Sequence, residues 1–124
     1  MKSRVLKLAT GASDGAASTT DTMAVYGKLY AVIYHPGTID TGATLTVTCV
    51  GFEASSKPVL TKASAGTAVL PLYPRDIVHA VADGAALTGT TGGDRAQPIL
   101  DGTLLATIAS GGNSKTGHVI VYYE

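Results

Sequence analysis

The feature that most restricts this chain is the strict alternation over residues 43–52. Leu45, Val47 and Cys49 share one parity, while Thr44, Thr46 and Thr48 share the other. A helix would scatter those threonines around its circumference, whereas a strand lines them up on one face. The segment therefore reads as a strand with an apolar inner side and a wet or interfacial threonine side. Thr41-Gly42 supplies a turn before it. Residues 22–34 repeat the pattern at greater length. Val25, Leu29, Ala31 and Ile33 fall on one side; Tyr26, Lys28, Tyr30 and Tyr34 fall on the other. His35-Pro36-Gly37 ends that strand, because proline cannot donate to the ladder and glycine permits a tight turn. Residues 22–36 and 43–52 are expected to form an antiparallel pair.

Shorter strands are expected at residues 4–9, 58–62, 67–70, 76–81, 103–109 and 118–123. Each is apolar or β-branched and bounded by turn residues. Residues 10–21, rich in Gly, Ala, Ser, Thr and Asp, show no apolar period. They are expected as a loop or flexible N-terminal arm, with residues 3–21 ordering over a neighbour on assembly. Residues 82–95 read as a long loop with a short helical turn near Ala85, and Ser110 to Gly117 as a connecting loop. The expected fold is all-β: a single domain over residues 1–124, built as a β-sandwich or jelly roll of about seven to eight short antiparallel strands.

Composition narrows the function. Charged residues make up only 15% of the 124, nine basic against nine acidic. A soluble domain usually carries about a quarter, so much of the outer surface is expected to lie against other protein. The neutral balance argues against nucleic-acid binding, which needs a basic face. No apolar run approaches the roughly 18 residues of a membrane helix. Residues 1–8 lack the apolar stretch of a signal peptide. A protein made in the cytosol and soluble there is expected.

No motif demands catalysis, a metal or a cofactor. The single cysteine, Cys49, excludes an internal disulfide and sits on the inward parity of its strand. His35 precedes a proline turn, His79 lies near Asp76, and His118 opens the last strand; no nucleophile elbow accompanies them. Asp76 and His79 are three apart, a spacing that opposes side chains on a strand. Asp14, Asp21 and Asp40 are placed in loops without a calcium-loop pattern. The Gly111–Gly117 loop contains Lys115-Thr116 but lacks phosphate-loop spacing and leads into a strand. The tyrosines are more suggestive. Tyr26, Tyr30, Tyr34, Tyr122 and Tyr123 pair apolar area with a polar tip, which suits an interface as well as a second buried sheet face.

Several segments carry a likeness. Tyr34-His35-Pro36-Gly37-Thr38-Ile39-Asp40-Thr41-Gly42, Tyr73-Pro74-Arg75, Leu87-Thr88-Gly89 with Gly92-Gly93-Asp94-Arg95, Pro98-Ile99-Leu100-Asp101-Gly102, and the tail from Ile108 through Gly117-His118-Val119-Ile120-Val121-Tyr122 together resemble small virion structural proteins of tailed bacteriophages. The resemblance spans residues 23–124 and rests on turns and short strands. It implies a head decoration, or cement, protein on a β-sandwich or jelly roll. Such a protein sits on the capsid surface as a homo-oligomer, commonly a trimer, bound to the major capsid protein. A tail, neck or fibre-attachment protein is the nearby alternative. A carbohydrate-binding module using tyrosine platforms, or a hydrolase using His79, would be of a different class.

Overall fold

The computed structural model describes residues 1–51, 56–77 and 95–124. Every regular element among them is a strand: β1 (Lys2–Ala9), β2 (Ala17–His35), β3 (Thr44–Val50), β4 (Ser56–Lys62), β5 (Leu70–Leu72), β6 (Asp76–Ile77), β7 (Arg95–Ala96), β8 (Ile99–Ala109) and β9 (Thr116–Tyr123). No helix there is long and apolar enough to cross a membrane. The all-β class expected from the alternation is the observed one.

Seven strands hydrogen-bond into one antiparallel sheet in the order β1-β9-β2-β8-β3-β4, with β5 also on β2. A separate pair joins β6 to β7. The 19-residue β2 organises the sheet. Its first part pairs with β8, from Ala17↔Ile108 to Lys28↔Ile99. Its second part pairs with β9, from Leu29↔Tyr123 to His35↔His118. On its other edge, Val32 to Tyr34 pair with Leu72 to Leu70 of β5. One strand thus carries the sheet from a β3-β4-β8 half to a β1-β9-β5 half. Both halves turn their apolar side chains into a common core. Leu6, Leu29, Val32, Leu45, Val47, Leu104 and Val119 are each at most 1% exposed. Burying a side chain of this size stabilises by about 1.5–3 kcal/mol.

Three expectations are corrected. First, β2 and β3 do not pair with each other: β8 lies between them and is bonded to both. Its inward Leu104, Ala106 and Ile108 are buried, and β3 registers on it from Thr44↔Ala109 to Val50↔Thr103. Second, residues 17–21 are not an arm but the start of β2. Branched Thr19 and Thr20 suit a pleated strand, and small Ala17 is the inward residue there, so no large apolar period marks it. Residues 3–9 are likewise paired throughout with β9. Third, residues 67–69 are not strand, and β5 follows at Leu70–Leu72. The strand expected at 103–109 begins earlier, at Ile99. Of the strand expected at 76–81, residues 76 and 77 are β6; 78–81 and the loop and helical turn expected from 82 lie outside the described residues, apart from Arg95 in β7.

Candidate interaction surface

The tyrosines do not share one face. Between Leu29 and Ala31, β2 advances two residues while β9 advances one, from Tyr123 to Tyr122. This bulge reverses the parity of everything after it. Tyr26 and Tyr30 stay outside, 58% and 42% exposed. Tyr34, expected beside them, turns into the core at 0% exposure, and Ile33, expected inside, turns outward and is half-buried. On β9, Tyr122 is half-buried on the outer side and Tyr123 is buried.

The Tyr34 hydroxyl is buried with no hydrogen-bond partner among the described residues. Burial pushes its pKa up. Tyr30 meets Tyr73 edge to face, with ring centroids 6.4 Å apart. The Arg75 guanidinium donates to the backbone carbonyls of Pro74 at 2.7 Å and Tyr30 at 3.3 Å, which fastens the segment after β5 to β2.

The outer side of the β1-β9-β2-β5 half is built in rows set by strand register. One row runs Val5, Ile120, Ile33, Pro71. The row above it runs Lys7, His118, His35. The two imidazoles stack in near-parallel planes, with centroids 4.4 Å apart. Burial lowers the His118 pKa first, and the neighbouring His35 and Lys7 lower it further. Lys7 thus lies in the same row as the stacked imidazoles. Below the apolar row, Tyr122 and the Tyr30–Tyr73 pair extend the uncharged area. The result is a largely apolar outer face with Val5 54% and Tyr73 57% exposed.

Sequence reading missed Val5, Ile33 and Ile120 as surface residues. One signal was available: residues 119–123 are apolar or aromatic on both parities. Such a run marks a strand with apolar residues on both faces, and here the outer ones, Ile120 and Tyr122, are half-buried.

The other candidate chemistries are accounted for by local structure. Cys49 is 1% exposed and its thiol donates to Asp101 Oδ1 at 3.7 Å. Burial raises its pKa, which keeps it a thiol rather than a nucleophilic thiolate. Four N–H groups of the Gly111–Gly117 loop are committed within the protein. Gly111 donates to Gly15 O and Ser114 to Gly11 O, while Lys115 and Thr116 donate to the hydroxyls of Thr10 and Thr38. They are not free to cradle a phosphate.

The aspartates expected as loop residues are dispersed. Asp21 lies in β2 and accepts from Arg4 Nε at 2.6 Å and Nη2 at 2.5 Å, which holds its carboxyl below the usual range. Asp14 accepts from the Ala16 N–H at 3.2 Å. Asp40 lies against Gly112. Among the described residues, no group of three or more His, Cys, Asp or Glu is placed to hold a metal ion. His79 lies outside the described residues.

Among the described residues, fold and surface together define an all-β chain with a largely apolar outer sheet face. The chain matches no protein-family model, and no curated protein or solved structure matches it.

Proposed function

We propose that this chain is a non-enzymatic structural protein that works by packing against other protein, as a decoration protein of a bacteriophage head. The observation that carries this reading is the apolar outer face centred on Val5, Ile120 and Ile33 in a chain only 15% charged. Extended flat contact is what a shell-bracing protein needs, and an apolar sheet face supplies area for it. The resemblance of the turn and strand segments to small phage virion proteins supports the same assignment and names the major capsid protein as partner. The test is the copy number of this chain, relative to the major capsid protein, in purified particles of the virus that encodes it. A ratio near one supports decoration. A handful of copies assigns the chain to the tail or neck, and absence from the particle overturns the virion assignment.

A further inference from the structure

We propose that the recess between the end of β1 and the start of β9 binds a tetrahedral oxyanion, a sulfate or phosphate group, through Lys7, His118 and the Thr116 hydroxyl, with His35 stacked on His118. The site lies beside the apolar row and stands whether or not that row contacts another protein.

Two independent observations point to it. The first is a recess of about 400 Å³ lined by Lys7, Ala9, Gly37, Thr116, Gly117 and His118. Its volume falls within the roughly 300–1,000 Å³ of small-ligand sites. The sequence makes the space. Residues of one parity share a sheet face, so Lys7 and Ala9 stand opposite His118 and Thr116 on the outer side. Ala9 is too small to fill the gap between those longer side chains. Gly37 turns the chain at a φ of 56°, and a Cβ there would collide with the Thr116 carbonyl oxygen.

The second is basic charge without a counter-charge. Lys7, His118 and His35 lie directly opposite one another on three adjacent strands. Opposed residues stand about 4.5–5.5 Å apart at Cβ, and like charges placed so destabilise a sheet. Lys7 enters no ion pair among the described residues. The groups acting on the His118 imidazole are His35 from β2 and Lys7 from β1, and both oppose its protonation. In the adjoining loops, Lys115 is half-buried and Asp40 lies against Gly112. A bound oxyanion supplies the charge this row lacks. The Lys7 ammonium, an imidazolium edge and the Thr116 hydroxyl are all donors. Stacking engages the imidazole faces and leaves their nitrogen-bearing edges for such bonds. Recognition is by side chains, so it does not compete with the loop N–H groups already bonded within the protein. The anion favours protonated imidazole, so binding takes up a proton and tightens as pH falls.

The test is a sulfate titration of the full chain at constant ionic strength, followed by NMR on the histidine C2–H and residue 116–118 amide signals. Sulfate is divalent at both pH 5.5 and pH 8, so any pH dependence belongs to the protein. The signals should shift saturably at pH 5.5, and affinity should fall at least about tenfold by pH 8, the scale of one charge-assisted hydrogen bond. Lys7→Met, at an exposed edge-strand position, leaves the core intact and should weaken binding by about tenfold at pH 5.5. Lys2→Met removes the same charge about 16 Å away along β1. That is beyond the screening length of about 8 Å in physiological salt, so binding should change little. His118→Gln should abolish the pH dependence. Inorganic phosphate and glycerol phosphate should each displace sulfate at pH 6.5. Tighter binding of the ester assigns the recess to organic phosphates, and the reverse order assigns it to the free anion. Shifts that never saturate, equal affinity at the two pH values, Lys7→Met no weaker than Lys2→Met, or acetate competing as well as phosphate would each overturn the proposal.

Discussion

Removing the Tyr34 hydroxyl should make this protein more stable. The side chain is 0% exposed and its oxygen has no hydrogen-bond partner among the described residues. In the unfolded chain that hydroxyl bonds to water, so folding strips it of partners. The penalty for such a group is about 1–3 kcal/mol. Tyr34→Phe keeps the ring and its packing and deletes the unsatisfied atom. The expected gain is about 1–2 kcal/mol, the lower part of that range, since the vacated space loses a few dispersion contacts. For a domain of this length, a gain of that size raises the melting midpoint by roughly 3–8 °C. Urea unfolding followed by circular dichroism measures it directly. The midpoint should rise with the m-value unchanged, because the surface exposed on unfolding is the same. Tyr30→Phe is the control: its ring is 42% exposed, and the change should stay within about 0.5 kcal/mol. A loss of 1 kcal/mol or more on Tyr34→Phe would refute the reasoning, because it would mean that the folded chain does satisfy the hydroxyl.

Two further outcomes follow from neighbouring features. The folded chain takes a proton on His118 less readily than the unfolded chain, since burial, His35 and Lys7 all lower its pKa from 6.5. The unfolded chain therefore binds more protons as pH drops below that value, and stability should be level above about pH 7 and decline as pH falls through 6.5. Urea midpoints at pH 7.5, 6.5 and 5.5 should show the decline, and His118→Gln should flatten it; a wild-type midpoint that rises on acidification contradicts this account. Separately, Gly102→Ala should destabilise by about 3 kcal/mol, because a Cβ there would sit 1.9 Å from the Val50 carbonyl oxygen, where backbone meets backbone. A midpoint within experimental error of the wild type would show that β3 and β8 can part without cost.

The strands themselves were legible where a period of two coincided with large apolar residues. Leu45, Val47 and Cys49 point inward as their spacing requires, and Leu104, Ala106 and Ile108 do the same on β8. Residues 17–21 were opaque because alternation between small Ala17 and polar threonines leaves little apolar contrast. The bulge was opaque for another reason. Nothing in Leu29-Tyr30-Ala31 marks an extra residue; the misfit appears only when Tyr123 and Tyr122 of β9 are laid beside it. Tyr34 and Ile33 were therefore assigned to each other's faces, and the surface was read as a tyrosine stripe rather than an apolar row flanked by tyrosines. Pairing was equally hidden, since β2 and β3 are neighbours in sequence and β8 separates them through contacts that no local pattern encodes.

The central placement of β2 also governs when the protein can form. In the seven-stranded sheet, β3 and β4 are the only consecutive strands that pair. Every other ladder joins segments distant in the chain: Lys2 meets Tyr123, Ala17 meets Ile108, and Leu29 meets Tyr123 again. Loop-closure entropy must be met before such contacts give any return, so folding of this topology belongs to the slow, millisecond-to-second class. During synthesis β1 and β2 leave the ribosome long before β8 and β9 exist, with Leu6, Leu8, Leu29 and Val32 still facing water. The nascent chain is therefore at greatest risk of aggregation just before its last two strands appear.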